Sequence, residues 1–152
     1  MAKTRSKKGK RELPETPTCN CILLCEDVEI SQGKGKHTLH GVIGTIVVPG
    51  LPTVLSSFPN GYVAYVRVQN VHGHKMLEVS LEEAATREPV FMFKADLPAK
   101  KDPLDLYTVC VPVIPFVIER DGLYWFTAMC EGSILAQSPI RIVCTASRSP
   151  ET

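Results

Sequence analysis

The chain has 152 residues, of which 44% are hydrophobic, and a formal net charge of +1. A chain of this length buries roughly two thirds of its unfolded surface as a single domain, without needing disulfides or metal ions. It contains no apolar run of the roughly 18 residues needed to span a bilayer, and no secretory-type apolar segment follows its charged start. We therefore expect an unexported, cytoplasmic protein that does not engage a membrane.

The positive charge is confined to the N-terminal segment. Residues 1–18 carry six Lys/Arg against two Glu, a net +4, whereas the rest of the chain carries 11 Lys/Arg against 14 Asp/Glu, a net −3. This segment is poor in large apolar side chains, so it buries too little apolar surface to offset the entropy lost on ordering. We predict a disordered tail over 1–18, a β-domain over 19–145 and a flexible tail over 146–152. Nucleic acid is not the expected partner, since the basic tail offers only weak, salt-dependent phosphate contacts.

The stretch CNCILLC opens the predicted domain with three thiols, Cys19, Cys21 and Cys25. In a strand all three project to one face, but each two-residue step advances roughly 6.6 Å, so Cys19 and Cys25 lie about 20 Å apart. They cannot converge on one ion, and we interpret them as small core or edge side chains. A metal site would need ligands from elsewhere, and no CxxC pair or HExxH motif supplies them. Its candidate ligands are Cys110, Cys130, Cys144, His37, His40, His72 and His74.

Apolar runs with a period of two continue along the chain, and turn residues separate them. "GKGKHT" reads as a basic hairpin loop after the first run, and Glu82–Thr86 as a single helical turn at most. The spacing predicts an all-β, immunoglobulin-like antiparallel β-sandwich of about seven to nine strands. The predicted strands are Cys19–Ile30, His37–Val48, Tyr62–Val71, Lys75–Leu81, Val90–Leu97, Leu106–Val111, Tyr124–Cys130 and Ile134–Cys144.

Two short stretches refine this picture. In "VPVIPF", Pro112 and Pro115 cannot donate to a strand ladder, which predicts a sheet edge, a kink or a crossing between sheets. In "RDGLYWF", the turn at Asp121-Gly122 followed by Tyr124 resembles the tyrosine corner of immunoglobulin-type sandwiches. Phe126 stands where such a domain places its second disulfide cysteine, so we expect no such disulfide.

The last two predicted strands form a hairpin whose faces follow from parity. Directly opposed residues share a face, so the apolar residues of both strands face the core together only if the loop has an odd number of residues. The loop is then Glu131-Gly132-Ser133, and Gln137 and Arg141 lie in solvent. Cys130 and Cys144 fall on the inner face but at opposite ends, so no bridge between them is expected, and reduced thiols suit an unexported protein. The predicted inward residues are Tyr124, Phe126, Ala128 and Cys130 on one strand and Ile134, Ala136, Ile140 and Ile142 on the other.

Other catalytic patterns are missing from the sequence. There is no GxSxG elbow and no phosphate-binding loop, and the neighbours Glu26 and Asp27 point to opposite faces of one strand. His37 and His40 also fall on opposite faces, and His72 and His74 flank Gly73 at a turn tip. We therefore predict no catalytic, cofactor-binding or metal-binding residues and a protein that is not an enzyme.

Several motifs together resemble a bacterial family of small β-sandwich proteins of unknown function. They are "CILLCEDV", "GKHTLHGVIGTIVV", "LPAK", "VPVIPF" and "DGLYWFTAMCEGSILAQSPIRIV", and the resemblance covers about residues 20–144. It implies a bacterial cytoplasmic sandwich domain and carries over no catalytic residues. The matching positions are Cys25, Glu26, Asp27, Gly35, Thr38, Leu39, Gly41, Val42, Gly122, Tyr124, Phe126, Gly132, Leu135, Pro139 and Val143.

The third predicted strand is apolar on both faces, with Val63 and Tyr65 opposite Val66 and Val68. Such a pattern favours a covered outer face, and we expect a non-enzymatic module that binds another protein or a second copy of itself. The alternative is a small-ligand or carbohydrate-binding domain that uses exposed aromatic rings such as Trp125 and Tyr65. A metal- or thiol-dependent enzyme is the third hypothesis.

Overall fold

A computed structural model describes residues 16–31, 33, 35–55, 61–102 and 104–147 of the chain. Across these residues eleven strands form a four-stranded sheet in the order β2-β1-β5-β8, a five-stranded sheet in the order β3-β11-β10-β6-β7 and a two-stranded ribbon, β4-β9. The all-β sandwich prediction is confirmed. The strands are β1 (Thr18–Ile30), β2 (His37–Val42), β3 (Thr45–Val48), β4 (Thr53–Leu55), β5 (Val63–Gln69), β6 (Lys75–Glu83), β7 (Pro89–Leu97), β8 (Tyr107–Pro112), β9 (Phe116–Ile118), β10 (Gly122–Cys130) and β11 (Ser133–Cys144).

The two larger sheets share one core because their strands alternate as the sequence predicts. On β5, Ala64, Val66 and Val68 are fully buried, and they pack with inner-face residues of β6 and β10 such as Val79 and Phe126. The helical turn predicted at Glu82–Thr86 is replaced by the end of β6 and a hairpin turn, closed by a bond from Arg87 N to Glu83 O of 2.8 Å. No helix in the described part of the chain is long and apolar enough to cross a membrane.

The predicted strand His37–Val48 is two strands in two different sheets. β2 pairs with β1, and β3 then pairs with β11 in parallel, so the prediction of a purely antiparallel sandwich is wrong at this pair. The break is stabilised on both sides, since Ile43 N donates to Leu24 O at 2.8 Å and Arg141 N donates to Gly44 O at 2.9 Å. The backbone thus passes from one sheet to the other without losing these hydrogen bonds.

The predictions made from the prolines of "VPVIPF" and from the turn in "RDGLYWF" are both confirmed. β8 is an edge strand that ends at Pro112, and the chain then crosses to β9 in the ribbon, as the prolines predicted. Tyr124 is 1% exposed, and its hydroxyl donates to the carbonyl oxygen of Arg120 at 2.6 Å. The tyrosine corner is therefore present.

The final hairpin has the predicted inner face but a different turn. Its loop is the two-residue pair Glu131-Gly132, with φ of +50° and +79°, and Cys130 pairs with Ser133. The extra residue is Leu135, in a β-bulge between the pairs Ala128–Ala136 and Met129–Ile134. The prediction of a three-residue loop is therefore wrong, because the extra residue lies in the strand and not in the loop. The prediction that Ile134 faces inward is also wrong, since Ile134 is 53% exposed. Beyond the bulge Ile140 and Ile142 are buried as predicted.

The predicted tails lie largely outside the described residues. The predictions for residues 1–15 and 148–152 concern residues outside the described ranges. Thr18, assigned to the tail, is the first residue of β1, and residues 145–147 form a single 3-10 turn.

Candidate functional site

The three N-terminal cysteines do not share one face, contrary to the prediction. The register of β1 against β5 shifts between Cys19, opposite Val68, and Cys21, opposite Arg67, so Asn20 is a bulge. The bulge reverses the alternation, and Cys19 packs against the core while Cys21 and Cys25 lie on the outer face of the four-stranded sheet.

The cysteine thiols have low reactivity. All six cysteines are free. Burial raises the pKa of Cys25 to about 11, with smaller contributions from Cys110 and Asp27, and burial also raises the pKa of Cys19, Cys21, Cys110 and Cys130. These five groups are protonated at neutral pH, which makes them poor nucleophiles and metal ligands. Within the described ranges, no three His, Cys, Asp or Glu side chains are grouped so that they could hold a metal ion.

The histidines occupy separate places. His37 lies against Tyr65, with 2.6 Å between its Nδ1 and the hydroxyl oxygen and 5.6 Å between the ring centroids. His40 has a different partner, since its Nε2 lies 3.4 Å from a carboxylate oxygen of Glu29. His72 and His74 flank Gly73 in the turn between β5 and β6, and His74 lies 3.2 Å from Asp96. His37 and His40 thus have different partners, and the position of His72 and His74 between two strands was predicted correctly.

The two aromatic residues proposed to stack on a ligand differ in access. Tyr65 is only 3% exposed, so its predicted exposure is wrong, and the His37 ring packs edge-on against it. The apolar outer face of β5 is thus covered at Tyr65 by the chain itself. Trp125 is half-buried on the other sheet, opposite Glu82 and Pro139 in the neighbouring strands. A ligand-binding role for Trp125 stays a prediction.

A cleft of about 480 Å³ lies at one end of the sandwich, between the start of β7 and the segment that leads into β9. We call it the β7–β9 cleft. Phe91 and Phe116 lie at its base, 7% and 5% exposed, with their ring centroids 5.0 Å apart. Ile114 and Val117 stand on its wall and are 66% and 48% exposed. The cleft therefore combines a packed aromatic base with aliphatic side chains open to solvent.

The rim of the β7–β9 cleft is acidic. Three carboxylates, those of Glu83, Glu88 and Glu119, line it together with one guanidinium, that of Arg120. Glu83 lies 3.4 Å from Arg120, whereas Glu88 and Glu119 form no ion pair within the described ranges. Two carboxylates are therefore left to attract a cation from outside.

The sequence did not reveal this cleft. Its residues come from the end of β6, the start of β7, the crossing from β8 into β9, and the turn that leads into the start of β10, four segments that only the fold brings together. One signal pointed to it: the prolines of "VPVIPF" predicted an irregular crossing, and such a crossing exposes apolar side chains that a regular strand would bury.

A model of the family of unknown function DUF6941 matches residues 20–143. The match covers most of the chain, so the chain belongs to this family, and the predicted membership in a family of unknown function is confirmed. No curated protein matches the chain.

Proposed function

We propose that this member of the DUF6941 family is a non-enzymatic module that binds a segment of another protein in the β7–β9 cleft. The partner segment carries a large apolar side chain next to Lys or Arg. The observation that carries this proposal is the pairing of an exposed aliphatic wall, Ile114 and Val117, with the unpaired carboxylates of Glu88 and Glu119.

The apolar half of the recognition rests on the base of the cleft. The rings of Phe91 and Phe116 are fixed by their mutual contact, and Phe91 also contacts Phe126, with centroids 6.2 Å apart. Such a base is already ordered before binding, so an incoming side chain does not have to order it. Val54 extends the apolar surface, since it lies opposite Val117 in the ribbon and is 60% exposed.

The charged half supplies direction and selectivity. Carboxylates at the edge of an apolar site steer a cationic partner during encounter and disfavour an acidic one. Strand addition along the start of β7 is disfavoured, because Pro89 lacks an N–H and the ladder to β6 shifts register between Leu81 and Glu82. We therefore expect side-chain docking in the cleft and no added strand there.

The non-enzymatic part of the proposal is supported by the protonated state of the thiols. A thiol nucleophile needs a depressed pKa, and burial moves the pKa of Cys25 and Cys110 the other way. The cytoplasmic location expected from the sequence stays a prediction, and the six free cysteines are the state that a reducing compartment maintains.

Selection from a display library of random peptides tests the proposal. We expect enriched peptides to place Lys or Arg next to an aliphatic or aromatic residue, and their affinity to fall at least tenfold in V117D and in E88K. V47D is the matched control, since Val47 is 62% exposed on β3, outside the cleft. Peptides without this pattern, or equal losses in V47D, would refute the proposal.

Two further outcomes reassign the occupant of the cleft. A dimer seen by light scattering that is lost in V117D would identify a second copy as the occupant and refute binding of another protein. If deletion of residues 1–15 raised the affinity of selected peptides more than tenfold, the basic N-terminal segment itself would be the competing occupant.

A further inference from the structure

An unpaired buried donor lies on the outer face of the four-stranded sheet, far from the β7–β9 cleft. It is Nε of Arg67, on the inner strand β5, where Arg67 lies opposite Cys21 of β1 and Thr108 of β8. Among the described residues, this is the buried side-chain nitrogen or oxygen that has no hydrogen-bond partner. None of the ion pairs formed within the described ranges includes Arg67.

The surroundings of Arg67 do not neutralise its charge. Burial raises the pKa of Cys21 and of Tyr65, which keeps both groups uncharged at neutral pH although Arg67 opposes the shift in each. The hydroxyl of Tyr65 is engaged with His37 Nδ1. Asp27 contributes to the raised pKa of Cys25 and of Cys110, but not to that of Cys21 or Tyr65, the two groups on which Arg67 acts.

The polar neighbours at this end of the sheet are already engaged. Asn20 Nδ2 donates to Gln69 Oε1 at 2.7 Å, and Gln69 Nε2 donates to the carbonyl oxygen of Leu104 at 3.3 Å. Among the described residues, the guanidinium is the charged group in this row of side chains, and its buried Nε has no hydrogen-bond partner. Burial of such a donor without an acceptor destabilises the folded chain, so an arginine without a ligand is an unfavourable choice at this position.

We propose that Arg67 binds a carboxylate. The planar guanidinium fork donates to both oxygens of a carboxylate, and side-on binding through Nε and one terminal nitrogen would pair the unsatisfied donor. A single guanidinium, with no lysine or second arginine in its row, matches one negative charge better than the near-double charge of phosphate. Because Nε is buried while Arg67 as a whole is half-buried, binding displaces the side chains that cover Nε.

Titration with sodium acetate tests this site. The Nε–H signal of Arg67 in a ¹⁵N–¹H spectrum should move saturably with acetate but not with sodium chloride at equal ionic strength. Acetate should also raise the melting temperature of the wild type and of R141Q, but not of R67M. Arg141 is a suitable control because it is exposed on β11, in the other sheet, and forms no ion pair within the described ranges.

A second probe separates the sources of the carboxylate. If the end-blocked peptide Gly-Asp-Gly saturates the site at a lower concentration than acetate does, the ligand is a protein side chain. If acetate saturates the site at the lower concentration, the ligand is a free acid. Inorganic phosphate saturating below both would refute the choice of a carboxylate. A linear response equal to that of chloride, or an acetate effect that persists in R67M, would refute the site.

The unpaired donor gives a readout that needs no ligand. Replacing Arg67 by Met removes the donor and keeps the apolar stem, so R67M without acetate should melt about 2–4 °C above the wild type. A lower melting temperature would show that the buried Nε costs nothing and would overturn the argument. If R67M fails to fold, R67K serves instead, since lysine lacks Nε and should bind acetate more weakly than the wild type.

Discussion

Removing the hydroxyl of Tyr124 tests the tyrosine corner that holds the start of β10. In Y124F the ring stays buried, and the loss is confined to the 2.6 Å bond to the carbonyl oxygen of Arg120. A hydrogen bond of this kind contributes about 0.5–1.5 kcal/mol, and an acceptor left unsatisfied adds more. Arg120 is exposed, so its carbonyl can regain water, and we expect a total loss of about 1–2 kcal/mol.

Urea unfolding followed by circular dichroism measures this loss. With a slope of about 2 kcal/mol per molar urea, the midpoint should fall by about 0.5–1 M. Y62F is the matched control, because Tyr62 is half-buried and its hydroxyl has no hydrogen-bond partner within the described ranges. Its midpoint should change by less than about 0.25 M, which corresponds to about 0.5 kcal/mol. Equal midpoints for the two variants would refute the view that the corner stabilises this fold.

Three further outcomes follow from the backbone and the thiols. G41A should lower the free energy of unfolding by about 1–2 kcal/mol, because Gly41 has φ of +61° and a Cβ there would lie 2.6 Å from the Glu26 carboxylate. The control is G44A, which should change the free energy of unfolding by less than about 0.5 kcal/mol, because a Cβ at Gly44 would have no atom within 4 Å. The contribution of the Cys25 thiol to stability in urea should be complete below pH 9 and fall as the pH rises towards 11, because the folded chain raises the pKa of Cys25 from 9.0 to about 11. C25A should lose part of that slope, about 1.4 kcal/mol per pH unit for one group, and an unchanged slope would contradict the assignment. At pH 8 Ellman's reagent should label Cys25 and Cys130 over tenfold more slowly in the native chain than in urea, and equal rates would contradict their burial.

The sequence predicted the strands because strand formation depends on local alternation. The inner faces of β5 and β10 follow directly from the period of two, since each strand buries one face in the shared core. The split between β2 and β3 could not be predicted in the same way. The alternation runs through both, and only the hydrogen bonds of Ile43 and Gly44 to different sheets show where the chain changes partner.

The β7–β9 cleft and the Arg67 site depend on facts that no local pattern contains. The cleft requires segments of β7 and β9 to be placed side by side. The Arg67 site requires that a carboxylate be missing near one side chain, which follows only after every neighbour has a position. A sequence motif contains residues that bind one ligand together, whereas both surfaces are defined by the groups that the fold leaves unpaired.

The bulges at Asn20 and Leu135 explain why parity succeeded in one place and failed in another. An inserted residue reverses the alternation on one side of itself, so each bulge leaves only half of a strand in the face that the sequence pattern predicts. At Leu135 the reversal keeps Ile140 and Ile142 on the inner face, as predicted, because the two-residue loop alone would have turned them to solvent. At Asn20 it divides the thiols, sending Cys19 to the core and leaving Cys21 beside Arg67. The outer face beside Arg67 therefore carries Cys21 without Cys19, because one extra residue in β1 turns Cys19 to the core.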